Sequence, residues 1–178
     1  MRIVAGSARG RRLAAPPGTA TRPTSDKVRG AVMNLLGQFF DGGAVLDLYA
    51  GSGALALEAL SRGCDRALCV EADRRAADCI RRNAAACGFA DRVEVRVEPA
   101  QRALDRLPPG AFALVFLDPP YGEGPGEVLS RLAPFLAPGG AAVAEHAARH
   151  PPEDLYGALR LADRRAWGDT AVSIYRLA

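Results

Sequence analysis

A three-layer α/β fold, with a seven-stranded and mostly parallel sheet covered by helices on both faces, is predicted by three features of this 178-residue sequence. Short apolar runs alternate with helical patterns from Ala44 onward, the rhythm of strand–helix units that builds a parallel sheet. The run Phe112-Ala-Leu-Val-Phe-Leu117 is apolar throughout, as expected of a central strand buried on both faces. A glycine-rich turn, Gly51-Ser-Gly53, follows the first of these strands, at the end where open α/β sheets bind their ligands.

Each element has its own signal. Arg2-Ile-Val-Ala-Gly-Ser-Ala-Arg-Gly-Arg-Arg-Leu13 reads as two short extended runs around a Gly/Ser turn. A proline-rich connector, Pro16 to Pro23, leads to Thr24 or Ser25, either of which caps a helix with Asp26 in its first turn. Val28, Val32, Leu35, Leu36 and Phe39 recur at helical spacing and predict its buried stripe. The core then runs as strand 45–48, helix 53–62, strand 66–70 and an Ala/Arg-rich helix 73–87 stopped by Gly88. An alternating strand 93–97 and a short helix 100–107 precede the central strand 112–117. A helix near 126–136 closes at Pro138-Gly-Gly140, strand 141–145 follows, and 158–166 with 170–177 form a terminal antiparallel pair. The expected division is a basic N-terminal extension, 1–40, a short β hairpin and helix packed on a catalytic domain, 41–178.

Composition narrows the function. Nearly half of the residues are hydrophobic, no apolar run is long enough to span a bilayer, and the N-terminus lacks the core of a secretory signal, so a cytoplasmic protein is expected. Cys64, Cys69, Cys79 and Cys87 lack the close spacing of metal ligands and read as reduced core thiols; no metal is expected. The formal charge of +3 hides an asymmetry. Residues 1–30 sum to +6 and the remaining 148 to −3, the footprint of an arm that grips a phosphate backbone. Lys27 is the sole lysine, so the clustering of arginines is informative and the preference for arginine is not.

Two stretches carry the chemistry. In Asp47-Leu-Tyr-Ala-Gly-Ser-Gly53 the glycines permit positive φ and let a nucleoside approach the backbone. Glu71, eighteen residues beyond Gly53, ends the second strand, where a carboxylate can accept from ribose hydroxyls. Gly51-Ser-Gly53-Ala-Leu-Ala56 also fits a dinucleotide fingerprint in its alanine form, but Asp47 would repel a pyrophosphate. It suits the ammonium and sulfonium of S-adenosylmethionine instead. Asp118-Pro-Pro-Tyr121 makes a rigid pocket for a planar group bearing an amine. Asp118 and the Pro119 carbonyl can each accept one amine hydrogen bond, and Tyr121 can stack on a flipped-out base.

Arg22-Pro-Thr-Ser-Asp-Lys-Val-Arg29, Asp47-Leu-Tyr-Ala-Gly-Ser-Gly-Ala-Leu55, Glu58-Ala-Leu-Ser-Arg-Gly63, Asp118-Pro-Pro-Tyr121 and Gly168-Asp-Thr170 together resemble the 16S ribosomal RNA guanine-N2 methyltransferases of bacteria. The resemblance covers essentially the whole chain. It implies the Rossmann-like class I fold of S-adenosylmethionine-dependent methyltransferases, and methylation of guanine 966 in assembling 30S subunits by a monomer. The catalytic residues are then Asp118, Pro119, Pro120 and Tyr121. Asp47, Tyr49, Gly51, Ser52, Gly53, Glu71, Ala72 and Glu98 hold the donor, while Arg9, Arg11, Arg12, Arg22 and Arg29 meet RNA. Two departures stand out: Ala56 replaces a usual glycine, and Glu98-Pro99 stands where the family places a polar residue near the adenine. Glu145 is a further candidate for the target pocket, whereas His146 and His150 read as surface residues and Trp167 as core. The rivals are a DNA adenine-N6 methyltransferase, which usually needs a separate recognition domain, and a non-catalytic RNA-binding assembly factor, which has no need of an intact Asp118-Pro-Pro-Tyr121.

Overall fold

Residues 1–18, 25–120 and 122–178 are described by the computed structural model. Eight strands form one sheet: β1 (Ala44–Leu48), β2 (Arg66–Glu71), β3 (Val93–Val97), β4 (Phe112–Leu117), β5 (Leu136–Ala147), β6 (Leu155–Tyr156), β7 (Leu159–Trp167) and β8 (Thr170–Leu177), in the order β3-β2-β1-β4-β5-β8-β7-β6. The first five are parallel and the last three antiparallel. The chain turns outward in one direction after β1 and in the other after β4. The ends of those two strands therefore form the switch point where such sheets open a crevice.

The helices are α1 (Asp26–Leu35), α2 (Ala54–Ser61), α3 (Arg74–Ala86), α4 (Ala100–Leu104) and α5 (Gly126–Leu132). One face of the sheet packs Val45, Cys69, Phe116 and Val143 against α2, α3, α1 and the N-terminal residues Ile3 and Leu13. The other packs Leu46, Val70, Val115 and Ala142 against α4 and α5. Alternation along the strands produces this division, because successive side chains leave on opposite faces.

Several expectations about the elements need correction. The eighth strand is β6, a two-residue partner of β7 folded back at Gly157 and held by an edge contact of Tyr156 with Tyr175 at 5.8 Å. The helix expected to reach residue 136 stops at Leu132, since Pro134 has no N–H to continue it, and β5 already begins at Leu136. α4 likewise ends at Leu104 rather than 107. Ser25 caps α1, its side chain accepting from the Val28 N–H; Thr24 lies outside the described residues. α1 buries Arg29, Val32 and Met33 and stops at Leu35, before a Gly37-Gln38 pair with positive φ. Phe39 is thereby left 58% exposed.

Among the described residues Arg2 and Arg12 form an antiparallel bridge in place of the expected hairpin of strands. This N-terminal segment lies so close on α2 that a Cβ at Gly6 would stand 1.8 Å from the Ser61 carbonyl oxygen. No helix of the described residues is long and apolar enough to cross a membrane.

Candidate active site

The strand register lines up four carboxylates. Asp47 is level with Cys69 on β2 and Phe116 on β4, and Leu117 is level with Ala144 on β5. Glu71, Asp47, Asp118 and Glu145 consequently share the face that buries Cys69, Phe116 and Val143. They run across the carboxyl ends of β2, β1, β4 and β5, with the switch point between the middle pair.

Asp47 is only 2% exposed, and its Oδ2 accepts the Ala56 N–H at 3.3 Å, near the start of α2. Burial, reinforced by the charges of Asp118 and Glu71, pushes its carboxyl from 3.8 up to about 8. Among the described residues no cation pairs with it. Glu71 by contrast has a backbone partner on each oxygen. One of its oxygens accepts the Gly51 N–H at 2.8 Å and the other the Asp73 N–H at 2.9 Å, so it shapes the glycine loop besides ending the strand. Within that loop Gly53 has φ +77°, and a Cβ there would come within 3.1 Å of Ile80 Cγ2 on α3. Glycine is required here for both reasons. Tyr49 also has positive φ, 64°, and its hydroxyl accepts from Gln101 at 3.3 Å.

Asp118 follows β4 directly, beside Pro119 and an exposed Pro120. Burial first and the Glu145 charge second raise its carboxyl to about 7. Tyr121 lies outside the described residues, as does Arg22. Ser52 is half-buried on the loop and Ala72 is exposed next to Glu71. Glu98 forms an ion pair with Arg106, and its own N–H donates to the Glu71 carbonyl at 3.2 Å; Pro99 stands at the N-cap of α4. Arg106, Arg102, Arg96, Val97 and Glu98 line an open cleft of about 580 Å³ at that edge. Arg9, Arg11 and Arg12 are exposed. His150 is also exposed, whereas His146 is half-buried, its ring nitrogens bonded to Ser173 Oγ at 2.8 Å and the Ala147 carbonyl at 2.9 Å. Trp167 packs partly buried against the core.

Arg29 is the clear misreading. Its side chain is fully buried and cannot meet a phosphate at the surface. It pairs with Glu58 at 3.4 Å and Asp26 at 3.0 Å, and donates to the Arg2 carbonyl. Glu58 is the hub that sequence reasoning passed over as a motif letter. One oxygen accepts the Val4 N–H at 2.8 Å together with Arg29, and the other accepts the Ala5 N–H at 3.0 Å and Arg62 Nε at 2.8 Å. The available signal was a lone acid in the apolar helix Ala54-Leu-Ala-Leu-Glu-Ala-Leu60, four residues before an arginine.

Comparison with known proteins adds the relatives. The family described as conserved hypothetical protein 95 matches residues 1–176. YlbH of Bacillus subtilis, a protein named for rRNA methyl transfer, is 38% identical over 99% of this chain and 98% of its own. The ribosomal RNA small subunit methyltransferase D of Escherichia coli is 36% identical over 70% of this chain and 62% of its own. Among solved structures, an Escherichia coli protein titled as the methyltransferase yhhF superposes with a TM-score of 0.83 at 30% identity, covering 99% of this chain and 97% of that one. A Thermus thermophilus protein, TTHA0928, gives 0.82 at 28% identity over 98% of each chain. The fold is the Rossmann-like one of class I methyltransferases.

Proposed function

Because the chain belongs to the conserved hypothetical protein 95 family, we propose that it methylates the N2 amine of a guanine in 16S rRNA of the assembling small subunit, guanine 966 by resemblance, with S-adenosylmethionine as donor. The observation that carries this reading is the pair of carboxylates on either side of the switch point, Asp47 buried and Asp118 half-buried, with no cation beside Asp47 among the described residues.

A buried carboxyl held partly protonated favours a cationic ligand, because a cation replaces the lost hydration of its charged form. Asp47 and the positive-φ loop at Gly51 and Gly53 suit a donor bearing an ammonium; the half-buried Tyr49 precedes that loop and the half-buried Ser52 lies within it. Glu71 holds the loop through Gly51 and keeps further acceptor lone pairs for ribose hydroxyls. Ala72 and Glu98 bound the adenine end. The donor supplies an electrophilic methyl group on a sulfonium. The rest of the work falls to the chain.

An exocyclic amine is a weak nucleophile, since its lone pair is delocalised into the ring. Asp118 accepts one amine N–H and the Pro119 carbonyl the other, which directs the lone pair out of the plane toward the methyl group. Pro120 stiffens the turn, and Tyr121 stacks on the flipped base. The nitrogen gains a methyl group and releases one proton, for which the Asp118 carboxylate is the acceptor. Arg9, Arg11, Arg12 and Arg22 supply the phosphate contacts.

The test is transfer of labelled methyl groups to under-methylated 30S subunits, naked rRNA and duplex DNA, with nucleoside mass analysis of each. N2-methylguanosine from the subunit is the expected product. N6-methyladenine in DNA would replace this reading with the adenine enzyme, and donor binding without transfer would replace it with an assembly factor.

A further inference from the structure

Asn83, on α3, joins the N-terminal arm to the glycine loop. Its side chain is 3% exposed. Oδ1 accepts the Ala14 N–H at 2.9 Å, and Nδ2 donates to the Ala14 carbonyl at 3.0 Å and to the Ser52 carbonyl at 2.9 Å. The amide thus pairs with both backbone groups of Ala14, as a neighbouring strand would, and spends its other hydrogen on the carbonyl between Gly51 and Gly53. The Ser52 hydroxyl also reaches Met1 Sδ at 3.8 Å. Two polar groups of the loop residue therefore end on the arm or on the side chain that clamps it. Ala14 stands two residues after the exposed Arg12.

We propose that Asn83 is a positioning residue that couples the donor loop to the arginine-bearing arm, so that RNA held by the arm and donor held by the loop each tighten the other. The inference rests on the function proposed above, with the loop as donor site and the arm as RNA contact. A loop built on two positive-φ glycines has many backbone alternatives, and the Asn83 bond to Ser52 selects one of them. Phosphate contacts at Arg11 and Arg12 order the arm through Ala14, which keeps the Asn83 amide aligned on Ser52. Donor then meets a loop whose ordering cost has already been met, and linkage makes the effect reciprocal.

The experiment is the affinity of the full chain for S-adenosylhomocysteine, the unreactive product, with and without saturating under-methylated 30S subunits. Two variants are compared with the unaltered chain. Asn83→Asp keeps the acceptor for the Ala14 N–H and loses both donations. Ala14→Pro removes the N–H from the arm, at a position whose side chain is exposed. Subunits are expected to tighten product binding about tenfold in the unaltered chain and less than about twofold in either variant. Equal tightening in all three proteins overturns the proposal, as does no tightening in the unaltered chain. So does a uniform loss of affinity that leaves the ratio intact, which is the mark of a merely structural residue. Failure of the underlying function reads differently, as no product binding or no methylguanosine from the unaltered chain.

Discussion

Two buried acidic regions on the same face of the sheet are built in opposite ways. Around Glu58 every charge is answered: two guanidinium groups and two backbone N–H groups converge on one carboxylate. Across the switch point the buried Asp47 and the half-buried Asp118 stand near other carboxylates, and their pKa values rise to about 8 and about 7. A compensated charge cluster holds the chain together. An uncompensated one is a standing demand for a cation or a proton, the demand that the proposed donor and amine would meet.

The strongest way to test that contrast is to remove Asp118. Asp118→Ala should lower methyl transfer by roughly 10²- to 10⁴-fold while leaving product affinity near normal, measured by single-turnover kinetics and calorimetry. Unchanged transfer would place the rim carboxylates with the structural ones. Next comes Glu58→Leu, which strands two buried guanidiniums. It should cost about 3–5 kcal/mol of stability in denaturant melts.

A pH series separates the regions again. Between about pH 4 and pH 8 the folded chain holds a proton on Asp47 that the unfolded chain has released, so stability should fall as pH rises through that window. Donor affinity should rise over the same range, because the cation prefers the ionised carboxylate. Asp47→Asn should flatten both slopes and weaken donor binding about tenfold, a loss of roughly 1.4 kcal/mol. Transfer by the unaltered chain should itself rise with pH through about 7 as Asp118 ionises. The smallest effects belong to the arm. Arg11→Ala or Arg12→Ala should each reduce the slope of log affinity for RNA against log salt by about one, with no change in melting temperature.

What was legible in the sequence follows how local its cause is. β3 and β4 begin and end where alternation and apolarity place them, since both signals lie within the segment. Asp47, Glu71 and Asp118 could be set at strand ends because each directly ends or follows an apolar run. Arg29 could not be read, because its burial depends on Glu58, twenty-nine residues away and on another helix. Glu71 was legible as a strand-end carboxylate, but its grip on the Gly51 N–H depends on how two loops meet. Phe39 had the right spacing for a stripe that α1 is too short to reach. Asn83 carried no signal at all: one more polar residue in an Ala/Arg-rich helix looks solvated until Ala14 and Ser52 are brought to it.

The anchors of the arm also set a timetable for synthesis. Val4 and Ala5 are held by a residue 54 and 53 positions downstream, and Ala14 by one 69 positions downstream. Translation at roughly 5–20 residues per second leaves Ala14 without its partner for about 3 to 14 s. During that interval the most basic stretch of the nascent chain lacks the contacts that hold it in the folded protein. Completion of α3 is the event that stows it.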